Sequence, residues 1–363
     1  MAPLDQRPIL CFATQGAGHL DEVRVRELLS GLADVEVHEF SRAGKARSGL
    51  GLWRAARARR PALIVMEGTG MAGGLAVIAL RRAIEIPYIV SSGDAVGPYL
   101  GLRGRLVGWV GERYERLLCR RSAGFIGWTP YLAGRALTFG APRAISAPGW
   151  GRGVAATGAR ERVRAQLGIA PHAIVAGLVG SLALNERVGY TYGLELVRAV
   201  RRVGRADVAV CVVGDGSGLA RLHEEAGEDL GRRVFLPGRV APEQVPDWLA
   251  AFDLASLPQS VDRVGSFRYT TKLPEYLAAG LPVVSGQLPA AYDLDRGQFF
   301  RLPGATPWSE EYVSALAELL ERVSHEELAQ RRSIVAADEW PEFDRDAQLA
   351  RVQAFMEDVL AER

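Results

Sequence analysis

The chain has 363 residues, 48% hydrophobic and 24% charged, a balance that excludes a disordered chain and suits two soluble folded domains. No apolar stretch reaches the ~20 residues that span a bilayer, and residues 1–7 lack the layout of a secretion signal. Residues 1–150 hold 20 basic and 12 acidic side chains, net +8, and the remainder 24 and 30, net −6, which excludes a general nucleic-acid binder and turns one basic half toward something anionic.

In chain order, the apolar run Pro8 to Ala13 reads as a strand ending in Thr14-Gln-Gly-Ala-Gly18. A helical pattern through Val25, Leu28, Leu29 and Leu32 follows, then an alternating strand over 35–40. Residues 62–66 form an apolar strand leading into Glu67-Gly-Thr-Gly70, with a helix over 72–83. A strand over 86–90 closes in Ser91-Ser-Gly-Asp94, and a helix over 105–121 precedes a short strand at 124–128. The pattern then restarts. Strands are expected at 173–179, 207–213, 234–236, 254–257 and 281–285, with helices near 190–203, 242–251, 272–279, 310–323 and 344–360. Short apolar strands alternating with helices predict parallel sheets covered on both faces. The economical fold is α/β: two doubly wound, Rossmann-like domains facing a central cleft that holds the ligand. The glycine-rich stretch Gly149 to Gly153 is the expected hinge. Domain boundaries are accordingly expected at 1–155, 156–335 and 336–363, the last a helix packing back on the first domain.

Glycine-rich turns end several of these strands, where they permit close backbone approach and free helix N-termini to bind phosphate. Each glycine pattern is weak alone. Gly16-Ala-Gly18 has Asp21 where a dinucleotide motif needs its third glycine, and Gly214 to Gly218 has the wrong spacing. The densest cluster is 267–285. Thr270 and Thr271 are N-cap candidates, Lys272 adds a point charge at a helix start, and Glu275 lies one turn on. Only two of the 44 basic residues are lysines, Lys45 and Lys272, which singles out the second. Such a group can bind a diphosphate and a ribose; a capped helix with a surface Lys–Glu pair is the plain alternative. Asp94 and His19 stand at strand ends where α/β ligands bind, Asp94 as an acceptor of a sugar hydroxyl or proton, or else as a helix cap.

The stretch 268–286 resembles the nucleotide-sugar signature of family 4 (group 1) glycosyltransferases with the GT-B fold. Lys272, Glu275, Tyr276, Ala278, Gly280, Pro282, Val283 and Val284 match its Lys-x-x-Glu-Tyr-x-Ala-x-Gly-x-Pro-Val-Val pattern. Leu178 to Ser181, Val212 to Gly216 and Val234 to Arg239 stand in the family's order upstream. The resemblance is good over 173–290 and general over 1–150. It implies a hexosyltransferase-like enzyme that moves a sugar from a nucleoside-diphosphate sugar, with retention and without metal or other cofactor. By the same resemblance Glu275 holds the donor ribose, Lys272 and the backbone at Thr270 and Thr271 the diphosphate, and Arg187 supplies a second cation. Arg239 and Val240 flank the base, and Gly16 and Gly18 let the first domain approach the phosphates. The acceptor, a glycan, a lipid-linked sugar or a small molecule, falls to residues 1–150. Departures from the pattern are Phe267 at a glutamate position, Ser181 at an arginine position, and Ser92-Gly93-Asp94 where a histidine often precedes the acid. A sugar-nucleotide epimerase or hydrolase of the same architecture, or a nucleotide-binding protein without transfer, are the alternatives.

Two further features bear on setting. Arg42 to Arg60 holds seven basic residues and no acid, and Arg103 to Arg121 holds six, interleaved with Leu106, Val107, Trp109, Val110 and Tyr114. This basic face suits peripheral contact with an anionic membrane. The plainer reading is a surface helix whose apolar side packs on the sheet. The three cysteines, Cys11, Cys119 and Cys211, make neither a disulfide frame nor a metal knuckle, and a reducing cytoplasm is the expected compartment.

Overall fold

The computed structural model describes residues 7–41 and 43–362. Residues 1–6 of the expected first domain, Arg42 of the basic run and the last residue, 363, lie outside the described residues. The chain divides into two compact units, 1–149 with 341–363, and 150–340.

The first unit runs β1 (Ile9–Ala13), α1 (Leu20–Leu28), β2 (Val35–Val37), α2 (Lys45–Arg59), β3 (Leu63–Glu67), α3 (Met71–Ile84), β4 (Tyr88–Ser92), α4 (Val96–Gly101), α5 (Arg105–Arg121), β5 (Gly124–Gly127), α6 (Pro130–Thr138) and β6 (Ala144–Ser146). Its six strands are all parallel, in the order β2-β1-β3-β4-β5-β6. β1, β3, β4 and β5 are buried at every position, as strands covered on both faces must be. Right-handed crossovers put α2 to α6 on one face of this sheet and α1 on the other. The direction of travel reverses between β1 and β3, which makes the carboxyl ends of those two strands the switch point.

The second unit runs α7 (Ala159–Leu167), β7 (Ile174–Val179), α8 (Leu194–Val200), β8 (Val208–Val213), α9 (Leu219–Ala226), β9 (Val234–Gly238), α10 (Val245–Ala250), β10 (Leu254–Leu257), α11 (Lys272–Ala278), β11 (Val283–Ser285), α12 (Ala290–Asp293), β12 (Phe299–Arg301), α13 (Glu310–Arg322) and α14 (His325–Ala336). Its parallel sheet has the order β12-β11-β10-β7-β8-β9, so the switch point lies between β7 and β10. Asp253, just ahead of β10, fixes that centre. Its carboxylate accepts from Arg164 at 2.6 Å, Arg160 at 2.5 Å and the Val175 backbone N–H at 2.8 Å. The final helix, α15 (Arg345–Ala361), belongs to the first unit and packs on α1 and β6. There the fully buried Gln348 amide closes two 2.8 Å bonds with the backbone of Gly149.

Three elements depart from expectation for visible reasons. β2 stops at Val37 because it is an edge strand, although His38 still donates to Cys11 and Phe40 stacks on Phe12 at 5.4 Å. α8 starts at Leu194 rather than near 190, because Asn185 and Tyr190 form an antiparallel bridge and Gly193, at φ +91°, ends the loop. α2 forms in the basic run, where no helix is expected because Gly49 and Gly51 lower helix propensity. A Cβ on Gly49 would sit 3.3 Å from the Ala72 carbonyl, so the glycine admits α3. No helix among the described residues is long and apolar enough to cross a membrane.

Candidate functional site

Lys272 occupies the switch point of the second unit. It opens α11, and its side chain folds back under the turn that follows β7. A Cβ built on Gly180 would lie 2.5 Å from Lys272 Cε and 2.8 Å from Nζ, so only glycine leaves the lysine this room. The ammonium stands 4.7 Å from the centre of the Tyr192 ring, a cation–π contact. The residue is 9% exposed, and among the described residues no carboxylate lies within ion-pair distance of its ammonium. A buried cation without a carboxylate partner is costly, by several kcal/mol. An anion bound at that point removes the cost.

Glu275, one turn along α11, is largely buried. Burial raises its carboxyl above the usual range, while the charges of Lys272 and Arg152 pull it back. Beneath it Tyr276 is fully buried and donates to the Ser256 carbonyl at 3.1 Å, which pins α11 onto β10. Glu195, also fully buried, accepts from Tyr190 (2.8 Å), the Gly193 N–H (3.0 Å) and Ser256 (2.9 Å), and so holds the floor of the switch point. Tyr192 in turn accepts from Gln259 at 2.8 Å, which orients the ring facing Lys272.

The glycines of 214–218 serve close loop packing. A Cβ on Gly214 would fall 1.9 Å from the Gly180 carbonyl oxygen, and one on Gly216 would meet Leu182 at 2.6 Å. The Leu182 N–H donates to Asp215, and the Gly218 N–H donates back to Leu182. The loops after β7 and β8 are thus laced into one rim around Lys272.

The other expected residues fall as follows. Thr271 takes the N-cap position but its side chain makes no cap bond; Thr270, at φ +56°, accepts from the Lys272 N–H at 3.3 Å instead. α11 has only seven residues, so positive charge here rests on the lysine more than on a helix dipole. Ser181 is exposed just past Gly180. Arg187 is exposed in the hairpin of Asn185 and Tyr190, its N–H donating to Asn185 Oδ1. Arg239 and Val240 follow β9, the arginine exposed.

In the first unit, Gly16 and Gly18 have φ of +109° and +77° and shape the turn after β1. The Gly18 N–H donates to Glu22 at 2.7 Å, and that bond and the Arg26 side chain hold the Glu22 carboxyl below its usual range. His19 is the exposed N-cap of α1 and makes no side-chain cap bond. Asp94 follows β4, its N–H donating to Ser92 Oγ at 3.2 Å; α4 begins after Ala95, so Asp94 does not cap it.

The carboxyl at this unit's switch point, Glu67, belongs to none of the motifs the sequence displays. Glu67 ends β3 with no exposure, its Oε1 accepting from the Trp128 indole at 3.1 Å and its Oε2 lying 3.9 Å from Arg24 Nε. Burial pushes it up to about 7, with Arg24 opposing. Arg24 stacks on Trp128 at 4.4 Å and also donates to the Ala147 carbonyl. Asp21 is raised too, by burial and by the charge of Asp94, so the carboxylates at 21, 67 and 94 share one field. A glutamate closing the apolar run Leu63 to Met66 was the available signal.

A model described as glycosyl transferases group 1 matches residues 173–322, and one described as a glycosyl transferase 4-like domain matches 9–147. No curated protein sequence matches the chain. Solved structures of similar fold include HepE from Anabaena in complex with UDP and glucose, at 18% identity, TM-score 0.73, covering 97% of this chain and 100% of that one. Sucrose-phosphate synthase from Thermosynechococcus elongatus aligns at 15% identity and TM-score 0.69, covering 98% of this chain and 100% of that one. WaaG, a glycosyltransferase of lipopolysaccharide biosynthesis, aligns at 14% and 0.65, covering 93% and 98%. With two glycosyltransferase models in tandem over two Rossmann-like units, the chain belongs to the group 1 glycosyltransferases of the GT-B fold.

Proposed function

We propose that this glycosyltransferase takes its sugar from a nucleoside-diphosphate donor bound at the Lys272–Glu275 site and passes it, with retention and without a metal ion, to an acceptor bound by the first unit. The observation that carries the donor reading is the buried Lys272 ammonium with no carboxylate at ion-pair distance among the described residues. A diphosphate supplies the missing negative charge, and Glu275 one turn away accepts the two hydroxyl hydrogen bonds a ribose offers. The UDP bound in the HepE structure is in keeping with a uridine donor.

In the transfer, the bond between the anomeric carbon and the diphosphate oxygen breaks with its electron pair leaving on the diphosphate. The acceptor hydroxyl attacks on the same face and its proton passes to a diphosphate oxygen. Lys272, with Arg187 from the adjoining hairpin, stabilises the charge that develops on the leaving group. On the acceptor side, the half-buried Asp21 and Asp94 at the first unit's switch point offer hydrogen-bond acceptors to a polyhydroxylated acceptor, with the buried Glu67 and Arg24 behind them. The net +8 of residues 1–150 supports a peripheral station on the cytoplasmic face of an anionic membrane, where a lipid-linked acceptor would be met.

The test is transfer by the wild-type chain and by Lys272→Ala and Glu275→Ala, with the product's anomeric configuration read by NMR. Loss of transfer in both variants with unchanged melting supports the site. Wild-type turnover by both refutes it. Retained activity in a chelator supports metal-free chemistry, and an inverted product refutes retention. Donor cleavage to free sugar at full rate without acceptor would favour a hydrolase of the same architecture.

A further inference from the structure

We infer that the α4–α5 hairpin of the first unit is a docking surface for an anionic lipid bilayer. The two helices meet along a seam of glycines. A Cβ on Gly108 would lie 2.7 Å from the Gly101 Cα, one on Gly111 2.8 Å from Leu100 Cδ1, and one on Gly97 2.8 Å from Glu112 Cβ. Because small residues make the contact, the large apolar side chains are not used up in it. The plainer expectation, an apolar side packed on the sheet, holds for the second half of α5, where Tyr114, Leu118 and Cys119 are buried. It fails for the first half. Tyr99, Leu102, Leu106, Val107, Trp109 and Val110 all face solvent, Leu106 at 73%, Trp109 at 55% and Leu102 at 52%. Leu106, Trp109 and Val110 share one side of α5, and Leu102 stands in the turn that joins α4 to it. A contiguous exposed apolar patch of this kind marks an interaction site.

Charge decides what covers it. Arg103, Arg105 and Arg113 border the patch, and among the described residues none has a carboxylate within ion-pair distance; Arg113 lies 4.6 Å over Trp109. The hairpin's two acids are occupied, Glu112 with Arg116 and the buried Glu115 with Arg135. The fold extends the basic border. α3 packs against both α2 and α5 on the same face of the sheet, and α2 carries five basic residues, no acid and an exposed Leu50 beside Trp53, Arg54 and Arg57. Tryptophan, tyrosine and leucine ringed by arginine suit the boundary between acyl chains and anionic headgroups. A second copy of the chain is a poor occupant, since a two-fold contact would set the same arginines against one another.

The inference sharpens the peripheral membrane placement proposed above and does not depend on the donor site. The test is flotation of the purified full chain with vesicles of phosphatidylcholine alone or mixed with phosphatidylglycerol. The wild-type chain is expected to float with the mixed vesicles, to stay down with the neutral ones, and to be released by high salt. Arg103→Glu with Arg105→Glu, and separately Leu106→Ser with Trp109→Ser, should each weaken flotation by about tenfold or more. Both pairs are exposed, so melting and nucleotide binding should stay at wild-type values, and Arg322→Glu in the second unit should float normally. Absence of flotation with both vesicle types, flotation unaffected by the four substitutions, or a concentration-dependent dimer abolished by Trp109→Ser would each overturn the proposal. Nucleotide binding measured on the same preparations keeps a failed donor site distinct from a failed lipid surface.

Discussion

Glu67→Gln should change how stability depends on pH. In the folded chain the Glu67 carboxyl titrates at about 7, against 4.5 in its ordinary state. Its stabilising contribution is therefore full below the unfolded value and is lost as pH rises through the folded one. The displacement corresponds to about 3 kcal/mol in all, of which about 2.5 kcal/mol falls between about pH 5 and pH 8. Glutamine keeps an oxygen to accept from Trp128 Nε1 but carries no charge to desolvate. Relative to the variant, the wild-type chain should lose about that amount across the interval. Urea denaturation of the two chains side by side reads the difference. Parallel pH profiles for the two chains would show that Glu67 is not held neutral and would refute the reasoning.

Asp253→Ala should destabilise the second unit by about 3–5 kcal/mol, because it strips the carboxylate from the buried Arg164 and from the Val175 N–H; denaturant titration checks it. Gly214→Ala places a methyl 1.9 Å from the Gly180 carbonyl at φ +147°, so the rim around Lys272 must open, and both melting temperature and nucleotide affinity should fall. Arg187→Ala removes an exposed side chain; transfer should fall while melting stays put, as calorimetry and product assay can show together.

Much of the architecture is legible in the residues, because a strand buried on both faces must be apolar throughout. β10 matches its expected bounds at 254–257, and α5 matches at 105–121. Lys272 stands out as one of two lysines among 44 basic residues, at a helix start and inside the Lys-x-x-Glu signature. What stayed hidden depends on contacts between distant segments. Gly180 looks like any strand-end glycine until the lysine beneath it is seen, and Tyr192 gains a role only from the cation above it. Glu67 closed an apolar strand in plain view, yet its partners come from α1 and from the end of β5, far along the chain. The outward face of α5 was equally ambiguous, since its periodicity suits packing on the sheet as well as exposure. Only the glycine seam with α4 shows which half does which.

The central claim is that the Lys272 ammonium holds a donor diphosphate beside a ribose gripped by Glu275. Calorimetric titration of uridine diphosphate into the wild-type chain, Lys272→Ala and Glu275→Ala measures it directly. A charge-assisted contact of this kind is worth about 1.5–3 kcal/mol, so each substitution should weaken binding by roughly ten- to hundredfold with the fold intact. Uridine diphosphate bound as tightly by both variants as by the wild-type chain would contradict the account.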